Sequence, residues 1–234
     1  MSIQVDLAQI LKLAPSARTS YREAFEQSQP VLDHYDISGN SLRVAHFMAQ
    51  VLHECGGLTI QFENLNYSPE RLPKVWPSRF LPNGPLDPQE YAHNPEKLAN
   101  SVYGDRMGNQ KDTNDGFNYR GRGLLQLTGK ESYVKATQLL RQWQADAPDF
   151  SALPDEVISA QWCVAIAAAE WDAKNCNGLA DEDSIRKVTL AINGGLIGLA
   201  ERQEWLRRTK NIWSFTNASQ PTRVLAATPA AASP

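Results

Sequence analysis

The stretch that most constrains the fold is SLRVAHFMAQVLHE, residues 41–54, which is followed by Cys55-Gly56-Gly57. Its large apolar side chains recur at the spacing of a single helix face. They are Val44, Phe47, Met48, Val51 and Leu52. Ser41 stands at the predicted N-cap, and the glycine pair stands where a helix should stop. The stretch therefore predicts an amphipathic helix whose apolar face packs into a core.

The same helical period appears on both sides of this stretch. It predicts a short helix that ends before Pro15 and further helices over about 16–29, 131–145, 160–173 and 185–193. Residues 160–173 are apolar almost all round, which is typical of a buried central helix. Between Asn64 and Phe117 seven prolines interrupt the pattern, so we expect long loops there. Long loops inside a domain usually serve function.

The composition is that of an ordinary globular protein. Of the 234 residues, 42% are hydrophobic and 21% are charged, and the formal net charge is −3. A nucleic-acid-binding protein would normally carry a basic surplus, so that class is excluded. No apolar run approaches the roughly 20 residues that a membrane-spanning helix needs. We predict one mainly α-helical domain over residues 1–216 and a disordered tail over residues 217–234.

The N-terminus and the cysteines indicate where the protein is made. The start of the chain, MSIQVD, has neither the basic residues nor the apolar core of a secretory signal. The three cysteines are odd in number and lack paired spacing, so we expect no disulfide framework. Both features predict synthesis in the cytoplasm.

Glu54 lies at the edge of the apolar face of the predicted 41–54 helix, beside Phe47 and Val51. Moving a carboxylate toward a core costs free energy and favours the protonated form. A carboxylic acid that is protonated near neutral pH is what a general acid needs. The alternative is a carboxylate that reaches solvent or is held by a nearby arginine.

Glu63 follows beyond the glycine pair and therefore lies on a different element from Glu54. Two carboxyl groups that face each other across a glycosidic bond are the minimal apparatus of glycoside hydrolysis. One protonates the leaving oxygen, and the other activates water or attacks the sugar. Asn64, Asn66 and Tyr67 surround Glu63 with side chains that suit a sugar better than a core. A glutamate pair alone is weak evidence, because a chain of this length has many.

The segment NYRGRGLLQLTG, residues 118–129, alternates glycine with arginine before a short apolar run. Gly121 and Gly123 allow tight turns or the close approach of a ligand. Gln126 and Thr128 point the same way if the run is extended. A phosphate-binding loop is the rival interpretation, but its lysine and serine/threonine ending is absent. Thr128 with the glutamate three residues later also fits a capping box, a purely structural role.

Metal and nucleophile chemistries have weaker support. His53-Glu54 begins a zincin motif, but Gly57 occupies the position of its second histidine. None of the four histidines stands at ligand spacing from a cysteine, and there is no G-x-S-x-G elbow. Cys55 is expected to be a packed, inert thiol. We therefore expect neither a metal nor a cofactor.

Four blocks together resemble one known family. In chain order they are HECGG (53–57), ENLNYS (63–68), YRGRGLLQLT (119–128) and INGG (192–195). The combination is similar to glycoside hydrolase family 19, the chitinase-like family, and especially to its compact branch of bacteriophage and prophage endolysins. The resemblance covers roughly residues 40–213.

The resemblance implies a mainly α, bilobed, lysozyme-like fold with a sugar-binding cleft between the lobes. It also implies an inverting glycosidase in which Glu54 is the general acid and Glu63 is the general base. Thr128 matches the residue whose hydroxyl helps to hold the attacking water. In an inverting enzyme the two carboxyl groups are expected roughly 6.5–9.5 Å apart, which leaves room for that water.

The resemblance also carries the remaining site residues onto this sequence. Arg202 matches an arginine whose charge supports the acid. The predicted substrate-binding residues are Tyr119, Gln126, Asn193, Asn66 and Tyr67. Cys55 departs from the family, where serine or threonine is usual. Relative to the plant chitinase branch, Ile197 and Ser132 replace a glutamate and an asparagine near the site, which favours the wall-lytic branch.

We expect a peptidoglycan hydrolase that cleaves the β-1,4 bond between N-acetylmuramic acid and N-acetylglucosamine. A chitinase is the enzyme alternative, because both substrates share the linkage and the acetamido group. A secreted antibacterial effector of the same fold, and a glycan-binding protein that has lost the chemistry, are further alternatives. The acidic net charge gives no electrostatic help toward an anionic wall.

The expected partner is therefore a glycan strand of peptidoglycan or chitin, with neither nucleic acid nor membrane insertion. Without a secretory signal, the protein would reach the periplasm or a target wall through a holin, through cell lysis or through a contact-dependent secretion apparatus. A secreted effector would also have a cognate immunity protein. We expect a monomer.

Overall fold

The computed structural model describes residues 2–213, which are mainly helical, as predicted. The predicted disordered tail, residues 217–234, lies outside the described residues. The helices are α1 (Leu7–Leu13), α2 (Thr19–Glu26), α3 (Gln29–His34), α4 (Ser41–Glu54), α5 (Leu72–Val75), α6 (Pro88–Tyr91), α7 (Pro95–Tyr103), α8 (Asp115–Asn118), α9 (Lys130–Arg141), α10 (Cys163–Ala173), α11 (Cys176–Asp181), α12 (Ile185–Asn193) and α13 (Leu199–Trp213), with a 3₁₀ helix at Pro154–Ile158. Between residues 2 and 213, no helix is both long and apolar enough to cross a membrane.

Helix α4 confirms the amphipathic helix expected from the sequence. The five apolar side chains that predicted it are each 1% exposed or less. The predicted N-cap was wrong by one residue, because Asn40 is the last extended residue and its side chain accepts a hydrogen bond from the Arg43 amide at 2.9 Å. After the helix, Gly56 and Gly57 adopt φ values of 54° and 66°, so the chain turns away as predicted.

Helix α13 packs along α4. Ala45 and Ala49 of α4 form an apolar cluster with Leu206 of α13, and the small alanines let the two backbones approach closely. Thr209 Oγ1 donates a hydrogen bond to the carbonyl oxygen of Ala45 at 2.9 Å. Because the contact runs along both helices, it carries Arg202 of α13 to the C-terminal end of α4.

The single helix predicted over 16–29 was wrong. The chain instead forms α2 and α3, separated by the buried Ser28. Pro30 lies in the first turn of α3 rather than ending a helix. A proline is tolerated there because its missing N–H would have no intrahelical partner.

The three downstream helices exist, with shifted ends. Helix α9 ends at Arg141, short of the predicted end near 145, and α10 begins at Cys163 rather than near 160. Helix α10 is buried on almost all sides, as expected of a central helix. Helix α12 ends where predicted, and Gly194 follows it with φ of 68°.

The proline-rich region 64–117 is more ordered than the expected loops. It contains the short helices α5 to α8, three of which carry a proline in their first turn. These prolines start helices rather than break them, which explains the error. The region also has its own apolar cluster, composed of Leu65, Leu72, Phe80, Leu98, Ala99 and Val102.

Residues 61–63 pair in antiparallel fashion with residues 121–123. The amide of Gly123 donates to the carbonyl oxygen of Gln61 at 3.1 Å, and the amide of Glu63 donates to the carbonyl oxygen of Gly121 at 2.9 Å. Phe62 and Arg122 form the isolated bridge between these bonds. This short pairing connects two of the sequence blocks and determines where Glu63 lies. The expected division into two lobes stays a prediction.

Candidate active site

Glu54, Glu63 and Gln126 line one open cleft of about 630 Å³. The two glutamates come from different elements, as predicted, because Glu54 ends α4 and Glu63 lies in the paired segment 61–63. The remaining lining residues are Arg18, Thr59, Ile60, Gln61, Phe62 and Asn64. The lining thus combines charged, amide and apolar side chains, as a sugar-binding surface requires.

Glu54 is held by a charged partner. Its side chain is 15% exposed, and Oε1 forms an ion pair with the Nη2 of Arg202, whose side chain is 2% exposed. Arg202 Nη1 also donates to the Oε1 of Gln50, one helical turn before Glu54 on α4. Within residues 2–213, no hydrogen bond is formed by Glu54 Oε2. One carboxyl oxygen is therefore fixed, and the other is available to a ligand in the cleft.

Glu63 is held by two neutral donors. Its Oε2 accepts a hydrogen bond from the Tyr103 hydroxyl at 2.7 Å, and its Oε1 accepts one from the Gly121 amide at 2.5 Å. Burial, with the charge of Glu63 next in weight, raises the pKa of Tyr103 well above its usual range. The tyrosine hydroxyl therefore stays protonated and remains a donor at neutral pH.

Gly121 brings three polar atoms together because it has no side chain. A Cβ on residue 121 would lie 2.8 Å from Gln126 Oε1, 3.2 Å from Thr128 Oγ1 and 3.3 Å from Glu63 Oε1. Any side chain at this position would have to displace at least one of these atoms. The glycine of the YRGRG motif therefore permits close approach of protein groups around Glu63, rather than only a turn.

Gln126 and Thr128 converge, but not through an extended run. Gln126 has φ of 53°, so the chain turns sharply at that residue. The capping-box alternative for Thr128 was also wrong, because Gly129 is the N-cap of α9 and makes no side-chain cap. Thr128 Oγ1 instead donates to the carbonyl oxygen of Gln126 at 3.3 Å and lies beside Glu63.

Asn66 and Tyr67 lie to one side of the main cleft. Asn66 lines an adjoining cavity of about 250 Å³ that also contains Glu63. Its Oδ1 is 2.9 Å from the Nδ1 of His93, which orients the amide. The Tyr67 ring packs edge-on against Trp76 with centroids 5.1 Å apart and does not line either cavity.

The structure places Tyr119 and Asn193 away from the lining of the main cleft. Tyr119 is 6% exposed, and its ring packs edge-on against Tyr133 in an apolar cluster. Its hydroxyl donates to the carbonyl oxygen of Ser151 at 2.6 Å, so direct contact with a sugar is not supported. Asn193 is the exposed last residue of α12. Both residues were predicted from the family resemblance, and a matching motif does not show which way a side chain points.

Tyr103 and Gln50 are the site residues that the sequence analysis missed. Gln50 carried a signal, because it is a polar residue on the apolar face of α4, four positions before Glu54. It is fully buried and is held by Arg202. Tyr103 carried none, because forty residues separate it from Glu63 and its helix α7 lies in the region predicted as loop.

The described residues 2–213 contain no group of three or more histidine, cysteine, aspartate or glutamate side chains that could hold a metal ion. The three cysteines are buried and unpaired. Burial raises the pKa of each thiol to about 12, so they are protonated at neutral pH. The titratable groups that line the cleft are Glu54, Glu63 and Arg18.

The chain is similar to one named protein and to solved structures of chitinases. No family model matches the chain. A protein of Haemophilus influenzae described as "Glycosyl hydrolase family 19 domain-containing protein" is 38% identical over 164 residues, which cover 70% of this chain and 76% of that protein. Among solved structures, chitinase C from Streptomyces griseus HUT6037 is similar with a TM-score of 0.57 at 17% identity, covering 90% of this chain and 92% of that one.

A second solved structure, of a bacterial family 19 chitinase, is similar with a TM-score of 0.54 at 20% identity, covering 89% of this chain and 94% of that one. At these identities the structures show a shared mainly helical fold. The Haemophilus relative is close enough to show the family. The chain therefore belongs to glycosyl hydrolase family 19 and, as predicted from its four sequence blocks, is a glycoside hydrolase.

Proposed function

We propose that this glycoside hydrolase cleaves peptidoglycan at the β-1,4 bond between N-acetylmuramic acid and N-acetylglucosamine by an inverting acid–base mechanism. One observation carries the proposal. Two carboxyl groups from separate elements line a single cleft, and they are held so differently that each suits a different task. Glu54 has an oxygen free to share a proton with the leaving group, whereas Glu63 is oriented through both oxygens.

Glu54 is the proposed general acid. Its Oε2, which has no hydrogen-bond partner in the described part of the chain, gives a proton to the glycosidic oxygen as the bond to the anomeric carbon breaks. Arg202 holds Oε1 and stabilises the carboxylate that remains after this transfer.

Glu63 is the proposed general base. It takes a proton from water while the water oxygen forms a bond to the anomeric carbon from the opposite face, so the configuration inverts. Tyr103 and the Gly121 amide orient the carboxylate. The proposed role of Thr128, which does not itself line the cleft, is to help hold the water; its Oγ1 and Glu63 Oε1 lie 3.2 and 3.3 Å from the position that a Cβ on residue 121 would take. The cycle ends when solvent returns a proton to Glu54 and removes one from Glu63.

Two features favour peptidoglycan as the substrate. The four blocks resemble the compact endolysin branch of the family, and Ile197 replaces a glutamate of the plant chitinases. The second candidate is a chitinase, which is favoured by the description of both solved structures as chitinases. Both reactions would use the same acid and base.

Mass spectrometry of the products from purified peptidoglycan, with chitin oligomers treated in parallel, tests the proposal. We expect fragments that end in reducing N-acetylmuramic acid, released as the α-anomer when followed by NMR. Cleavage of chitin oligomers alone would establish the chitinase instead. If neither substrate changes, a glycan-binding protein is the remaining interpretation.

Glu54→Gln and Glu63→Gln test the assignment of the acid and the base. Each should lower kcat by about 10²–10⁴-fold, the usual contribution of a positioned proton donor or acceptor. Glu96→Gln is the matched control, because Glu96 is exposed on α7 and does not line the cleft. Circular dichroism must show that all three variants are folded. Full activity in either folded cleft variant would contradict the assignment.

A further inference from the structure

A second cavity, of about 560 Å³, shares no lining residue with the catalytic cleft. It forms where the ends of five helices meet: the C-terminal ends of α3, α9 and α10, and the beginnings of α4 and α11. Its lining includes His34, Tyr35, Arg43, Gln142, Trp143 and Asp172. It is nearly as large as the cleft, so it can hold a ligand of similar size.

Three aromatic rings meet in this second cavity. His34 stacks on Trp143 with ring centroids 3.9 Å apart and an interplanar angle of 9°. Tyr35 packs edge-on against both, at 4.7 Å from His34 and 5.7 Å from Trp143. Such a cluster offers flat apolar surface next to polar edges, which is what the alternating C–H and hydroxyl faces of a sugar ring require.

Several polar groups in the second cavity have no protein partner. Asp172 and Gln142 are exposed and Tyr35 is half-buried, and within residues 2–213 their side-chain polar groups form no hydrogen bond or ion pair, so a ligand can reach them. Burial, followed by the charge of Asp172, raises the pKa of Tyr35 to about 12, so its hydroxyl remains a donor at neutral pH. Hydroxyl, amide and carboxylate groups together can satisfy both the donors and the acceptors of a saccharide.

The charges of the second cavity argue against an anionic ligand. Arg43 is already paired with Asp36 and Asp181, which leaves Asp172 as the uncompensated charge of the lining. A phosphate or sulfate would therefore meet a net negative surface. A neutral acetamido sugar would not, and its hydroxyl groups can donate to the Asp172 carboxylate.

Hydrogen bonds and packing connect the elements that surround the second cavity. Asn177 accepts a hydrogen bond from Trp171 Nε1 at 2.8 Å and donates one to the Tyr35 carbonyl oxygen at 2.9 Å, so α3, α10 and α11 are tied together. Trp143 packs on the apolar cluster formed around α9. A preformed site loses little conformational entropy when it binds a ligand.

We propose that this second cavity is a saccharide-binding site that holds a strand of β-1,4-linked acetamido sugars while the catalytic cleft acts elsewhere on the polymer. Tyr35, Trp143 and Asp172 are its central contacts. The proposal rests on the proposed function for its ligand class, and the neutral N-acetylglucosamine units of that polymer are the part that suits the charges of this cavity. Its test measures binding, so the result does not depend on catalysis in the cleft. Its expected effect is greatest on insoluble polymer, where a second attachment raises the effective concentration of substrate.

Isothermal titration with N-acetylglucosamine tetrasaccharide tests the site directly. The Glu54→Gln variant is used so that the probe is not hydrolysed, and we expect two binding events. Adding Asp172→Asn and Tyr35→Phe, which keep the packing, should weaken one of the two by about tenfold or more. Asp146→Asn is the matched control, because Asp146 is an exposed carboxylate outside the second cavity.

Activity provides the independent measurement. In the otherwise unchanged enzyme, Asp172→Asn with Tyr35→Phe should lower the rate on insoluble polymer about tenfold and leave the rate on short soluble oligosaccharides unaltered. A single binding event that is lost only with cleft mutations would overturn the proposal. So would binding of the free peptide stems of peptidoglycan, but not of its glycan, at the second cavity. If the enzyme cleaves neither polymer but still shows two binding events, the proposed function fails and the site stands.

Discussion

The two glutamates of the catalytic cleft are held by different kinds of interaction. On the acid side, Glu54 and Arg202 extend from the long, closely packed helices α4 and α13 and form a nearly buried ion pair. On the base side, Glu63 lies on an irregular segment and is held by a phenol and a backbone amide, both uncharged. Charge and helix packing hold one carboxylate, whereas hydrogen-bond geometry alone holds the other.

This difference predicts that mutations on the two sides should have different effects on stability and activity. A buried charge that loses its partner costs stability, so damage to the acid side should weaken the fold together with the activity. A carboxylate that loses a neutral donor is only less well oriented, so damage to the base side should lower the activity and leave the protein folded.

The largest effect is expected for Arg202→Met. Removing the guanidinium leaves Glu54 and the buried Gln50 without their partner, and the free energy of unfolding should fall by about 3 kcal/mol. Urea denaturation at neutral pH measures this change. Arg207→Met, which breaks an exposed pair with Glu204, is the control and should not alter the midpoint measurably. If the Arg202→Met protein had unchanged stability, the claim that the Glu54–Arg202 ion pair stabilises the acid side would be contradicted.

The next effect is expected for Gly121→Ala. The added methyl group would come within 2.8 Å of Gln126 Oε1, which must move, and within 3.3 Å of Glu63 Oε1, so the base is crowded from this side. A displacement of about 1 Å can lower kcat by roughly 100-fold, and the urea midpoint should stay close to that of the unaltered enzyme. Gly178→Ala is the matched control, because a Cβ there meets nothing within 4 Å. Full activity of Gly121→Ala would show that the position of Glu63 does not depend on the absence of a side chain at residue 121.

A smaller effect is expected for Tyr103→Phe. The substitution removes only the hydroxyl that donates to Glu63 Oε2, and one such bond to a charged group corresponds to about a tenfold change in kcat. Tyr91→Phe is the control, because Tyr91 packs in the same apolar cluster without a hydrogen bond from its hydroxyl in the described residues. Steady-state kinetics should show a loss in kcat at unchanged stability. A large fall in the urea midpoint would place Tyr103 among the structural residues instead.

No effect is expected from thiol alkylation of the native protein. Cys55 directly follows Glu54 but is fully buried, and burial raises the pKa of its thiol to about 12. Iodoacetamide at pH 8 should therefore leave activity intact, whereas all three cysteines should react in urea. Mass spectrometry counts the modified thiols. Rapid labelling of Cys55 with loss of hydrolysis would mean that the acid side opens in solution.

The sequence could predict the elements that depend on neighbouring residues. The apolar spacing of α4, the glycines after it and the glycine after α12 all appear in the structure as expected. The glycine pair between Glu54 and Glu63 was enough to predict that the two residues lie on different elements. Family resemblance, rather than periodicity, pointed to Arg202. Proline was misjudged, because the same residue starts a helix in its first turn and breaks one elsewhere.

Only the tertiary structure decided which groups hold the two carboxylates. The bonds from Tyr103 and Gly121 to Glu63 join residues 40 and 58 positions apart, and the pair of Glu54 with Arg202 spans 148 positions. The Tyr119 side chain packs in an apolar cluster, although the family resemblance of its motif predicted that it would bind substrate in the cleft. Local patterns record how each residue relates to its own helix or turn. The meeting of distant side chains depends on how these elements pack, and no single stretch of the chain encodes that.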